Sequence, residues 1–414
     1  MAVIFAAAGV LVSSARPVSY ILKLEHTSDY RSFSEKNRLP SIQAEPVFKD
    51  LISAFKKKMN DRILSSESES LLKELSGYYL ISDLNSKDIT ALRNTPGVAS
   101  LAPNYIFTID AIDFEKPNDE GYKSQWALKT VKADSAWNYA TGEGVLAGVI
   151  DTGIDYDHPD LKNSLWVNTA EDINQSGYFE NWPSDVEIEG MTGDLNGIDE
   201  DGNGFTDDVI GYDFVDQLLT NIGDYSEPDP DPNDENSHGT VVSGIIAAET
   251  NNRIGIAGLA FDAKIISLRA FDASGNGESD DIARSIIYAV LNGAKVLNFS
   301  FGEPYFSPIV YDAIRFAWSM GCVMAASSGN SNSDDPHYPS DHQEVISTGS
   351  ADENMQRAFR SNYGSFVRLT APGQEVLSTD INGSYRTANG TSMAAPHVSA
   401  AAALLLEKYP GLTP

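Results

Sequence analysis

Cysteine is almost absent from this chain. The one thiol, Cys322, has no intrachain partner, so no intrachain disulfide can staple the fold. It lies in the apolar run 321–326 and reads as a small buried residue. Stability must come from a large core, which 414 residues can supply. Basic residues are scarce too. There are 29 Lys and Arg against 59 Asp and Glu, a net charge of −30. Such a surface resists nucleic acid and favours solubility. No apolar run has the length and flanks of an internal membrane span. What is left is an acidic, disulfide-free globular chain with neither a nucleic-acid nor a membrane partner.

The charge is unevenly spread. Residues 16–112 hold 13 basic and 12 acidic residues, whereas 113–414 hold 16 basic and 47 acidic ones. That asymmetry marks two units with different jobs. Residues 1–15 are apolar and rich in small residues, ending Ser13-Ser14-Ala15. They resemble the apolar region and cleavage site of a secretory signal, although the usual basic start is missing. Residues 16–112 read as a small α+β unit. Strands are expected around 20–24, 77–81 and 97–105. A helix is expected over 44–59 with a Lys56-Lys57-Lys58 face, and another over 86–94 capped by Ser86. Residues 113–124 are polar, carry Pro117 and Gly121, and read as a linker.

From residue 125 onward apolar strands alternate with amphipathic helices. This predicts an α/β domain whose mainly parallel sheet is covered by helices on both faces. The apolar run 144–150 stops at Asp151-Thr152-Gly153, the pattern of a buried strand at its C-terminal end, where open α/β sheets build their sites. Another such run stops at Ser328-Gly329-Asn330. His238 sits beside Gly239 at the start of a small-residue helix. Ser392 lies in Asn389-Gly390-Thr391-Ser392-Met393, just before a run of alanine and leucine, both strong helix formers. A helix start offers unpaired N–H groups and a positive dipole end, which favour a developing anion. Taken alone, Ser392 could be a cap and Asp151 a turn residue. Together with His238 they supply what a serine nucleophile needs: a base, and an acid to orient that base.

Residues 194–208 form a separate motif. Asp194, Asn196, Asp199, Asp201, Asn203, Asp207 and Asp208 alternate with glycines, a spacing that can wrap oxygens around a hard cation such as Ca2+. The EF-hand pattern fails, because Ile210 stands where its closing glutamate would be.

Five stretches carry a resemblance to the subtilisin-like serine endopeptidases, the subtilases. They are residues 149–154, 237–244, 298–302, 325–330 and 390–397. They cover the chain from about 125 to 409 in the family's own order of acid, base and nucleophile. The resemblance implies Ser392 as nucleophile, His238 as general base, Asp151 as orienting carboxylate and Asn330 as oxyanion donor. It implies that Ser300, Phe301 and Gly302 pair with substrate on one side and Gly275, Asn276 and Gly277 on the other. His337 falls where the family lines its primary specificity pocket, and a histidine there would shrink that pocket. Residues 16–112 resemble the inhibitory propeptide, cut off by self-cleavage between Asp110 and Tyr122. The expected partners are thus polypeptide substrates and the chain's own propeptide, for a secreted, calcium-stabilised monomer. The chain stops at Pro414, before a further helix the resemblance leads one to expect, so a truncated C-terminus is implied. Rival readings are a convertase selective for basic residues and an inactive binding protein on the same scaffold. The acid-active sedolisin branch is disfavoured by His238 and Asn330.

Overall fold

The computed structural model describes residues 19–25, 30–37, 44–46, 73, 78–82, 84–103, 116–216, 223–224 and 227–414. The chain divides into two compact units, Met1–Asp110 and Ala111–Pro414.

The first unit holds β1 (Ser19–Leu24), α1 (Tyr30–Asn37), β2 (Ala44–Pro46), β3 (Tyr78–Ser82), α2 (Ser86–Arg93) and β4 (Val98–Pro103). Its strands form an antiparallel sheet in the order β2-β3-β1-β4. Leu22, Leu24, Phe33, Ile81 and Leu92 make its core. Two local expectations are corrected. Residues 44–46 are an edge strand rather than the start of a helix, because cross-strand pairing with β3 outweighs local propensity and an edge tolerates Pro46. The cap of α2 is Asn85, not Ser86. Asn85 Oδ1 accepts the N–H groups of Lys87 and Asp88, and Asp88 returns a bond to the Asn85 N–H. The signal-like stretch, residues 47–59 with their lysine face, and residues 104–115 lie outside the described residues.

The second unit runs α3 (Trp126–Thr130), α4 (Ala133–Ala136), β5 (Leu146–Asp151), β6 (Glu187–Ile188), β7 (Met191–Thr192), β8 (Gly211–Asp213), α5 (His238–Ala247), β9 (Lys264–Arg269) and α6 (Ser279–Leu291). It continues with β10 (Val296–Phe299), α7 (Pro308–Ser319), β11 (Val323–Ser327), β12 (Ile346–Ala351), β13 (Leu369–Pro372), β14 (Val376–Asp380), β15 (Ser384–Ala388) and α8 (Thr391–Lys408). Seven strands form one sheet in the order β13-β12-β11-β10-β5-β9-β8. Every pairing in it is parallel.

Alternation along the strands splits the core in two. Ala147, Val149, Ile265 and Val296 pack with Val242 and Ile246 of α5 and with Ala400, Ala403 and Leu404 of α8. Ile150, Ile266, Leu268, Leu297 and Phe299 face the other way, onto Ile282 and Ile286 of α6 and Ile314 and Ala317 of α7. Both faces are therefore buried, which is why these strands read as continuous apolar runs. Cys322 is buried at the entry to β11, its thiol against the Ala294 carbonyl at 3.1 Å. No helix among the described residues is long and apolar enough to cross a membrane.

Candidate active site

Asp151 is the last residue of β5, and its carboxylate is almost fully buried. Its Oδ1 accepts the Thr152 N–H at 2.8 Å and lies 2.7 Å from Nδ1 of His238. His238 is the first residue of α5. The start of that helix is clamped by Asp234. One Asp234 oxygen takes the Thr152 hydroxyl and the N–H groups of Asn236 and Ser237; the other takes the N–H and hydroxyl of Thr240. Gly239 lets the helix approach the turn after Asp151, since a Cβ there would meet the Gly153 carbonyl oxygen at 2.1 Å. Burial alone would lower the His238 pKa. The charge and hydrogen bond of Asp151, helped by Asp234, override it, and the net shift is upward. Arg386 on β15 opposes that rise.

Ser392 is the second residue of α8. Its hydroxyl donates to the Ser300 carbonyl at 3.0 Å, and the Ser300 hydroxyl donates to the Ser392 carbonyl at 2.8 Å. Behind them Asn298 donates to the Ser300 hydroxyl at 2.9 Å and accepts from Ser399 at 2.8 Å. This chain of bonds ties the start of α8 to the end of β10. Asn330 follows β11. Its Oδ1 accepts the Thr391 N–H at 2.9 Å and the Thr391 hydroxyl at 3.2 Å. That fixes the amide so that its N–H groups point away from Thr391.

A cleft of about 500 Å³ opens beside Asp151 and His238. Gly275, Asn276 and Gly277 line it, as do Ser300, Phe301 and Gly302. Asp272 shapes the first of these segments, its Oδ1 accepting the N–H groups of Ser274 and Asn276 at 2.9 Å each. Phe271, Ile282, Phe301 and Val310 give the cleft an apolar end. His337 sits behind Gly302 and Gly329. A Cβ on Gly302 would come 2.3 Å from its Cε1, and one on Gly329 would come 2.8 Å from its Cδ2. Burial lowers the His337 pKa, so the ring is a neutral filler there.

Residues 142–414 match the profile of the subtilase family. The chain is 36% identical over 319 residues to the thermophilic serine proteinase of Bacillus sp. strain AK1, covering 77% of this chain and 65% of that protein. It is 33% identical over 290 residues to thermitase of Thermoactinomyces vulgaris, covering 70% of this chain and 85% of thermitase. Among solved structures, a protease of Pseudoalteromonas arctica superposes with a TM-score of 0.59 at 30% identity, covering 72% of this chain and 89% of that one. The chain belongs to the subtilase family. The matched part spans a little under two thirds of the Bacillus relative's length.

In this subtilase the acidic loop is built differently from its sequence spacing. Asp194 is fully buried and turns away, its Oδ2 accepting the Glu180 N–H at 2.7 Å. Asp199 is exposed and accepts the N–H groups of Gly202, Asn203 and Gly204. Asp207 accepts from the N–H groups of Asn196 and Gly197. Asn203 donates to Asp201 and Asp208. Among the described residues around this loop, the carboxylates close enough to share one ion are Glu171, Asp201 and Asp208, or Glu171, Glu200 and Asp207. Sequence spacing missed two of these residues: Glu200, which breaks the Asp/Asn alternation inside the repeat, and Glu171, which lies outside it and is brought in only by the fold. Burial first, with Asp201 nearby, raises Asp208 to about 6, and burial raises Glu171 to about 7. A donor set of hard carboxylate oxygens held together against their own repulsion fits Ca2+.

Proposed function

We propose that this subtilase is a secreted serine endopeptidase made as a self-processed zymogen. The observation that carries the reading is the 2.7 Å bond between His238 and buried Asp151, at a cleft next to the helix that presents Ser392. Ser392 leaves the Ser300 carbonyl, gives its proton to His238 and attacks the scissile carbonyl. Asp151 holds the imidazole in the accepting tautomer and stabilises its cation. Asn330 and the Ser392 N–H take the oxyanion, and His238 then protonates the leaving amine. Water repeats the sequence to free the acyl group from Ser392. Residues 16–112 act as the propeptide, their near-neutral charge complementing the very acidic enzyme. A serine-directed sulfonyl fluoride should label Ser392, and the purified chain should shed about a hundred N-terminal residues. A folded chain that neither labels nor shortens would favour the inactive binding protein instead.

The walls 275–277 and 300–302 offer backbone to an extended peptide, which supports broad sequence tolerance. His337, packed behind the Gly302 wall, would narrow it at one point. Substrates should carry a small residue before the scissile bond. His337→Gly should raise kcat/KM for a large aromatic at that position at least about tenfold, with little change for alanine. Equal effects on both substrates would remove His337 from specificity.

Glu171, Asp201 and Asp208 would hold structural Ca2+, which supplies positive charge to ionised carboxylates there. The sign of the pH dependence follows from their raised pKa values. In the calcium-free form, the stability these groups contribute is full below about pH 4 and is lost as pH rises through about 6 to 7. Chelation should therefore lower Tm more at pH 8 than at pH 5. At a calcium level 100-fold above Kd the loss is about 2.7 kcal/mol. Equal shifts at both pH values in calorimetry would refute the assignment.

A further inference from the structure

A second group of carboxylates lies apart from the acidic loop. Asp280 and Asp281 begin α6, and Asp216 lies on the chain leaving β8. One oxygen from each falls within 4.8 Å of the others. Asp281 is 2% exposed, and among the described residues its Oδ1 has no hydrogen-bond partner. A buried carboxylate oxygen left this way is costly unless something else meets it.

Arg284 meets it only in part. Its guanidinium stands 3.3 Å from Asp216, 3.7 Å from Asp280 and 3.8 Å from Asp281. The last two are beyond hydrogen-bond length. One half-exposed charge is thus spread over three carboxylates, with Glu278 adding a further negative charge. The open helix start of α6 helps, but Glu278 provides no side-chain cap there. Even with Arg284 present, burial and then Asp216 and Asp280 push the Asp281 carboxyl up to about 7. The cluster is short of positive charge and has an unused oxygen facing inward.

We propose that Asp216, Asp280 and Asp281 form a second site for a divalent cation of calcium's size. Hard carboxylate oxygens, completed by water, suit such an ion. Arg284 is exposed enough to swing into solvent as the ion enters. The bound ion would fasten the start of α6 to the chain leaving β8. Gly275, Asn276, Gly277 and Ser279, which line the cleft, lead straight into that helix start. The site therefore stiffens one wall of the cleft from outside it. The assignment does not depend on the proteolytic reading.

Calorimetric titration of the full-length Ser392→Ala chain with calcium chloride, repeated with magnesium chloride, tests this. Ser392→Ala keeps the protein whole during the measurement. Asp216→Asn with Asp280→Asn should remove one calcium per chain and leave that of the acidic loop. Glu171→Gln with Asp208→Asn should remove the other. Arg284→Gln removes the competing cation without touching a ligand, so it should tighten the second site about tenfold. Magnesium, which demands tighter octahedral geometry, should bind more weakly there. Unchanged stoichiometry in the Asp216/Asp280 variant, or an unchanged affinity in Arg284→Gln, would overturn the proposal and leave the cluster as an arginine-neutralised surface.

Discussion

Ser392→Ala is expected to lower kcat for peptide hydrolysis by roughly 10⁶-fold, the size of loss found when a related subtilase loses its nucleophile. In the proposed mechanism the substitution removes the atom that forms the acyl bond. His238, Asp151 and Asn330 should stay where they are, because among the described residues none of their hydrogen bonds runs through the Ser392 hydroxyl. What remains is substrate binding and the oxyanion donors, enough for a residual rate above that of water. The fold should hold. The lost bond to the Ser300 carbonyl is worth about 1 kcal/mol, and alanine is a better helix residue than serine. Steady-state kinetics on a peptide substrate and calorimetry on the same sample separate the two effects. In the proposed self-cleavage the same hydroxyl acts, so the N-terminal unit should also remain attached. An alanine variant within about tenfold of the parent rate would end the nucleophile assignment.

Asp151→Asn is expected to cost about 10⁴-fold in kcat, close to 5 kcal/mol of transition-state stabilisation. Asn can offer an N–H to Nδ1 of His238, which places the imidazole proton on the nitrogen that must accept from Ser392. The substitution is nearly isosteric, so the Thr152 contact and the strand end survive. It also has a signature that simple disruption would lack. Burial lowers the His238 pKa while Asp151 is the largest influence raising it. Without that charge the histidine should lose its proton at lower pH. The acid limb of the rate profile should therefore move to lower pH while the plateau falls. A plateau that falls with no movement of the acid limb would mean that Asp151 acts on position alone.

Much of this protein is written locally. The buried strand ending at Asp151, the small-residue helix after His238 and the helix after Ser392 each announce themselves over a few residues. Their strands are buried on both faces, so apolar runs mark them without ambiguity. The motif residues are legible because close backbone approach demands glycine beside them, as at Gly239. The edges were less legible. Residues 44–46 became a strand through pairing with β3, which no local window contains.

The support around the site was decided by tertiary structure alone. Asp234 looks like one more acid in an acidic stretch, yet it pins the helix that carries His238. Ser300 reads as a cleft residue, yet its two bonds with Ser392 lock α8 to β10. Glu171 lies far from the glycine repeat in sequence and joins its carboxylates only on folding. His337 packs its ring against Gly302 and Gly329, because neither glycine carries a Cβ that would meet it. Asp281 lies beside a half-satisfied arginine because α6 starts next to the chain leaving β8. Residue type and spacing determine which chemistry the chain can perform, since strand ends and helix starts are local features. Which carboxylates come together and which side chains pack against one another depend on contacts between distant segments, and those exist only once the sheet has closed its core.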